Sequence, residues 1–131
     1  MAKYVTKNFT VAEVKCRCGE CNMAEMDPEF MDILQNIRED IGKPMKVTSG
    51  FRCMAHNQAV SSSGKAGPHT TGKAADIQIS GHDAFDLIEI AQAHGVSGIG
   101  LDQKGDHNRR YIHLDSLDNG NGRPRPWVWT Y

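Results

Sequence analysis

Two short segments constrain this chain more than any others, residues 74–79 and 111–115. In the first, Ala75, Ile77 and Ile79 alternate with Asp76 and Gln78. In the second, Ile112 and Leu114 alternate with Tyr111, His113 and Asp115. Successive side chains of a strand point to opposite faces. Each segment therefore predicts a strand with one face for a core and one face bearing polar groups. If the two strands are neighbours, Asp76 and His113 converge in a groove. His69 arrives from the loop just ahead, where Gly67 and Gly72 permit a tight approach. Two imidazoles and a carboxylate are the ligand set of a catalytic zinc ion, since three protein ligands leave a fourth position for water. The plain alternative for each histidine is a surface or hydrogen-bonded residue.

The flanking pattern supplies layers for such a sheet. Thr10-Val-Ala-Glu13 reads as a capping box, with Phe9 and Val14 placed for a hydrophobic staple. Asp27 caps a longer helix, Pro28 suits its first turn and Gly42 stops it, while Phe30, Leu34, Ile37 and Ile41 share one face. Residues 45–48 read as a strand, 49–52 as a turn, 54–60 as a short helix and 61–67 as a flexible polar loop. Asp83 is expected to cap a third helix over residues 84–94, followed by a strand at 96–101 and a polar turn at 102–110. The aromatic tail, 123–131, is expected to fold back. His56, His82, His94 and His107 fit structural or surface roles. The whole, residues 1–131, reads as one α+β domain with a small, mostly antiparallel sheet and helices packed on one side.

A formal net charge of −1 argues against a general nucleic-acid or anionic-membrane partner. The N-terminal residues lack the apolar stretch of a secretory signal, and no run reaches the length of a membrane span. This predicts a monomer made in the cytoplasm, without membrane insertion. Cys16, Cys18 and Cys21 form Cys-x-Cys-x-x-Cys, and Cys53 stands apart. They allow a structural zinc held by four thiolates, disulfides formed after release, or free thiols.

The run Gly42-Lys-Pro-Met-Lys-Val-Thr-Ser-Gly-Phe-Arg52 is followed by His56-Asn57, by His69-x-x-Gly-x-Ala-x-Asp76 and by Ile112-His-Leu-Asp115. Together with the closing Arg-Pro-x-x-Trp-x-Tyr tail, these motifs resemble the zinc-dependent M15 peptidases. Those are the D-alanyl-D-alanine carboxypeptidases and phage endolysin peptidases that share a fold with the hedgehog signalling domain. The likeness covers roughly residues 8–131 and implies a hedgehog-like fold. It implies zinc ligands His69, Asp76 and His113, and Arg52 as the group that binds the scissile carbonyl or a substrate carboxylate. His56 and Asn57 match as structural residues.

Two positions depart from the family pattern. Where relatives carry an acidic residue three before the last ligand, or a histidine two before it, this chain has Arg110 and Tyr111. Asp115 is the local substitute as general base, with Asp106 weaker; Asp115 could instead orient a ligand. Pro68 also replaces a residue of the usual approach to the first ligand. The expected function is a zinc metallopeptidase cleaving peptidoglycan stem peptides, at a terminal D-alanine or at L-alanyl-D-glutamate, acting on the cell wall after phage-type release. The alternatives are a catalytically inactive zinc module that binds cell-wall peptide or a protein, and a redox or metal-storage domain built on the cysteines.

Overall fold

The computed structural model describes residues 4–64, 66–120 and 122–131. Lys65, within the polar loop expected at 61–67, and the start of the N-terminal stretch lie outside the described residues. The chain opens with a small hairpin, β1 (Tyr4–Thr6) and β2 (Phe9–Thr10), which leads into a one-turn helix α1 (Val11–Val14). Thr10 and Glu13 form the expected capping box, and Phe9 and Val14 are fully buried. Helix α2 (Pro28–Ile41) starts on the Asp27 carboxylate, which accepts the Phe30 N–H at 2.9 Å, and stops at Gly42. Gln35 on α2 holds the hairpin. Its Oε1 accepts from the Thr6 hydroxyl at 2.7 Å and the Asn8 N–H at 2.9 Å.

Then follow β3 (Lys46–Ser49), α3 (Met54–Val60), β4 (Ala74–Gln78), α4 (Gly81–Ala93), β5 (Gly98–Asp102), β6 (Tyr111–Asp115) and β7 (Trp127–Thr130). Single 3₁₀ turns occupy Pro68–Thr71 and His107–Arg109. The five-stranded sheet runs β3-β4-β6-β5-β7, antiparallel except for the parallel β5–β7 pair. The fold is therefore α+β with a mostly antiparallel sheet, as expected. Val47, Ala75, Ile77, Ile99, Ile112 and Leu114 line one face. Phe30, Met31, Leu34 and Ile37 of α2, with Ala84, Leu87 and Ala91 of α4, cover it. Fully burying one such aliphatic side chain contributes roughly 1.5–3 kcal/mol, so this face anchors the sheet.

Three expectations shift. Helix α4 begins three residues before Ala84, at Gly81, because Asp83 does not cap; its carboxylate pairs with Lys43 instead. Strand β5 begins at Gly98, since the Val96 N–H is drawn back to the Ala91 carbonyl at the end of α4. The tail folds back as a true strand, β7, on the open edge of β5. Among the described residues no helix is long and apolar enough to cross a membrane.

Candidate metal centre

Register builds the site. Asp76 on β4 pairs with His113 on β6, which pairs with Gly100 on β5, which pairs with Trp129 on β7. All four lie in one row on the face turned away from α2 and α4. A Cβ on Gly100 would stand 2.6 Å from the Trp129 indole, and one on Gly98 would stand 2.3 Å from Asp115 Oδ1. The two glycines of β5 thus clear space for the site's indole and carboxylate. The third group, His69, sits in the 3₁₀ turn before β4. That turn ends at Gly72, where φ is +78° and a Cβ would stand 2.3 Å from the Glu25 carbonyl oxygen. The Gly72 carbonyl also accepts the Asp27 N–H at 2.9 Å. The loop carrying His69 is therefore locked to the start of α2.

The three candidate ligand atoms form a near-equilateral triangle. His69 Nε2 lies 3.3 Å from Asp76 Oδ1, His113 Nδ1 lies 3.1 Å from the same oxygen, and the two nitrogens are 3.2 Å apart. A tetrahedral zinc with bonds near 2.0–2.1 Å has ligand–ligand edges of about 3.3–3.4 Å. The spacing fits the ion. The tautomers fit as well. His69 Nδ1–H donates to the Gly50 carbonyl at 2.8 Å, leaving Nε2 as the lone-pair nitrogen. His113 Nε2–H donates to Asp115 Oδ2 at 2.8 Å, leaving Nδ1 toward the triangle. All three residues are buried.

Charge inside the site is strongly coupled. Burial raises the cost of ionising Asp76, but hydrogen bonds from His113 and His69 outweigh it and hold the carboxyl well below the usual range. Burial likewise disfavours a charged His113, yet the Asp115 and Asp76 carboxylates beside it push its pKa up.

Asp115 is placed unlike an exposed base. It is fully buried, and its two oxygens accept from Arg125 Nε at 2.9 Å and Nη2 at 2.8 Å, from His113, and from the Leu117 N–H at 3.3 Å. Against the desolvation of a buried carboxylate, His113 and Arg125 keep it ionised, well below its ordinary pKa. Of the two roles weighed for Asp115, this geometry favours orienting His113. As a general base it has no path to water: it is absent from the cleft lining, and the ring of His113 lies between it and the triangle. Asp106 is exposed and also outside the lining. Arg110, which stands three residues before His113, donates to the Gly105 carbonyl.

Above the triangle opens a cleft of about 430 Å³. Arg52 enters it from the turn after β3. Its guanidinium lies 3.5 Å from Asp76 Oδ2 and donates to Ser49 Oγ at 3.1 Å and Asn57 Oδ1 at 3.3 Å. Asn57, buried on α3, donates in turn to the Gly64 carbonyl at 2.7 Å and so ties the polar loop to Arg52. Tyr111, Trp129 and Tyr131 form the opposite wall; the His113 and Trp129 rings are 5.1 Å apart. Burial raises the pKa of both tyrosines, so their hydroxyls stay protonated.

Arg125, Trp129, Tyr131 and the two β5 glycines were not singled out as site residues by motif reasoning. The Arg-Pro-x-x-Trp-x-Tyr spacing of the tail and the Gly-x-Gly of β5 were the available signals. His82, His94 and His107 lie away from the cleft. His82 sits in an exposed group with Asp83 and Asp86, His94 pairs with Asp40, and His107 meets Ser80.

A family model described as Peptidase M15 matches residues 7–115. No curated protein matches the chain.

Proposed function

The chain belongs to the Peptidase M15 family, and from that premise we propose that it is a zinc-dependent peptidase acting on peptidoglycan stem peptides. The observation that carries the reading is the triangle of His69 Nε2, Asp76 Oδ1 and His113 Nδ1, with edges of 3.1–3.3 Å at the floor of an open cleft. A zinc ion held there supplies an acidified water and polarises a carbonyl. The protein does the rest. Arg52 offers a fixed fork of N–H donors for a developing oxyanion or a terminal carboxylate. The protonated Tyr111 hydroxyl stands in the same cleft as a further donor. Asp115, clamped by Arg125, fixes the His113 ring and its tautomer. The aromatic wall and the 61–63 segment bound a trough sized for a short extended peptide.

One observation favours a second reading, a zinc module that binds wall peptide without cutting it. Among the described residues lining the cleft, Asp76 is the only carboxylate, and it is a ligand. Defined muropeptides incubated with and without a chelator separate the two. Chelator-sensitive release of D-alanine, or of a fragment cut at L-alanyl-D-glutamate, supports the peptidase and names its bond. Intact peptides despite bound zinc at the triangle leave the binding module.

A further inference from the structure

Residues 15–27 contain no helix or strand, and among them only Cys16 is buried. Ala24 and Met26 at the far end of this stretch pack against the core, while the part from Cys16 to Met23 is closed by a backbone hydrogen bond from the Cys16 N–H to the Met23 carbonyl at 2.7 Å. It carries Cys16, Cys18 and Cys21, and the fold brings Cys53 to them across 32 residues of sequence beyond Cys21. The four sulfurs all lie within 4.8 Å of one another, and Cys18 and Cys21 are 3.4 Å apart. A tetrahedral zinc with Zn–S bonds of about 2.3 Å places its sulfurs about 3.8 Å apart. None of the four sulfurs is joined to another by a disulfide bond.

The backbone around them is arranged for anionic sulfur. The Glu20 and Cys21 N–H groups both point at Cys18 Sγ at 3.4 Å, and the Met23 N–H points at Cys21 Sγ at 3.4 Å. The Cys53 N–H points at Cys16 Sγ at 3.3 Å. Donors aimed at ligand sulfurs are what the surroundings of a thiolate–metal site provide. A disulfide sulfur, carrying no charge, gains far less from them.

We propose that Cys16, Cys18, Cys21 and Cys53 bind a second, structural zinc ion as a closed four-thiolate site. It joins the irregular N-terminal segment to the turn that carries Arg52. Cys53 follows Arg52 directly and stands at the N-cap position of α3, its thiol making no capping bond. The same turn is already pinned by the Phe51 N–H to the Val14 carbonyl at 2.8 Å, and a Cβ on Gly50 would collide with Val14 backbone at 2.6 Å. The ion therefore adds a further fastening to the turn that carries Arg52 into the cleft. This site stands on its own observations and is independent of whether the cleft hydrolyses anything.

The test is metal stoichiometry on the full chain. Wild-type protein is expected to carry two zinc ions, and His113→Ala to keep one. Titration with an organomercurial, followed with a zinc-sensitive dye, should release one ion as four thiols react in both proteins. His113→Ala reconstituted with cobalt should show thiolate-to-cobalt charge-transfer absorption, lost in Cys18→Ser/Cys21→Ser. If that double variant does not fold, the mercurial titration of the wild type decides alone. The proposal is overturned if His113→Ala carries no zinc, if the mercurial releases none, or if mass spectrometry finds the cysteines paired as disulfides.

Discussion

The His69/Asp76/His113 triangle and the four-cysteine cluster are built on opposite principles. The triangle rests on two central strands and a locked turn, its members buried and backed by the Gly50 carbonyl and by the Asp115–Arg125 pair. Three protein atoms converge, and the fourth direction opens into a cleft. The cluster sits on chain with no regular structure, and its sulfurs close on one another. Three ligands with an open position suit chemistry, and four ligands without one suit fastening. On the proposed reading, rigidity would precede the ion at the first site and follow from it at the second.

The largest expected break in this contrast is His113→Ala. Hydrolysis should fall to background while the thiolate ion and the far-UV circular dichroism spectrum remain, as measured by product release and metal content. Arg52→Met comes next. It should lower kcat by about 10²–10³-fold, the loss typical of one oxyanion donor, with zinc still bound at the triangle. Loss of zinc as well would place Arg52 among the structural supports of Asp76 rather than at the substrate.

Asp115→Asn tests the support beneath the ligand. Chelator competition should show zinc affinity lowered about 10–100-fold, and Arg125, left facing a neutral group, should cost the fold stability. Removing one partner of a buried pair costs on the order of 3–5 kcal/mol, readable by denaturant unfolding. Turnover abolished with zinc affinity unchanged would return Asp115 to the role of base.

The pH response sharpens the same point. Zinc binding at the triangle would compete with protonation of His113. Because its neighbours raise that pKa, affinity should keep climbing with pH beyond about 6.5, where an ordinary imidazole levels off. In chelated protein the sign reverses. The raised His113 contributes stability that is fully present below its ordinary pKa and lost as pH rises through the raised one. The depressed Asp76 and Asp115 contribute stability that is present above about 4 and lost on acidification. Melting temperature against pH, with and without zinc, checks both directions. Lys43→Ala, which removes an exposed pair with Asp83 far from either site, should leave melting temperature and turnover unchanged.

Much of the triangle was legible because strand alternation is a strong local signal. Once Asp76 and His113 fell on polar faces of strands with apolar backs, only adjacency was missing, and the register supplies it. The α2 caps were legible for the same reason, being set by neighbours in sequence. Strand β7 was not, since Trp-Val-Trp-Thr is an edge strand with both faces largely exposed, and its parallel pairing with β5 is a long-range choice. Arg125, set between two prolines, carries no local sign of its partner Asp115, which lies ten residues earlier in the chain. The position of Cys53 beside the other cysteines depends on how β3 and its turn pack on α1, and no short-range pattern records that.

The most direct measurement is a stepwise chelator titration of the zinc-loaded protein, following muropeptide hydrolysis, zinc content and mercurial-releasable zinc together. Hydrolysis should vanish as the first equivalent leaves, with the mercurial-releasable zinc intact. Hydrolysis that survives loss of the first equivalent, or that disappears only with the thiolate zinc, would contradict an open catalytic site at His69, Asp76 and His113.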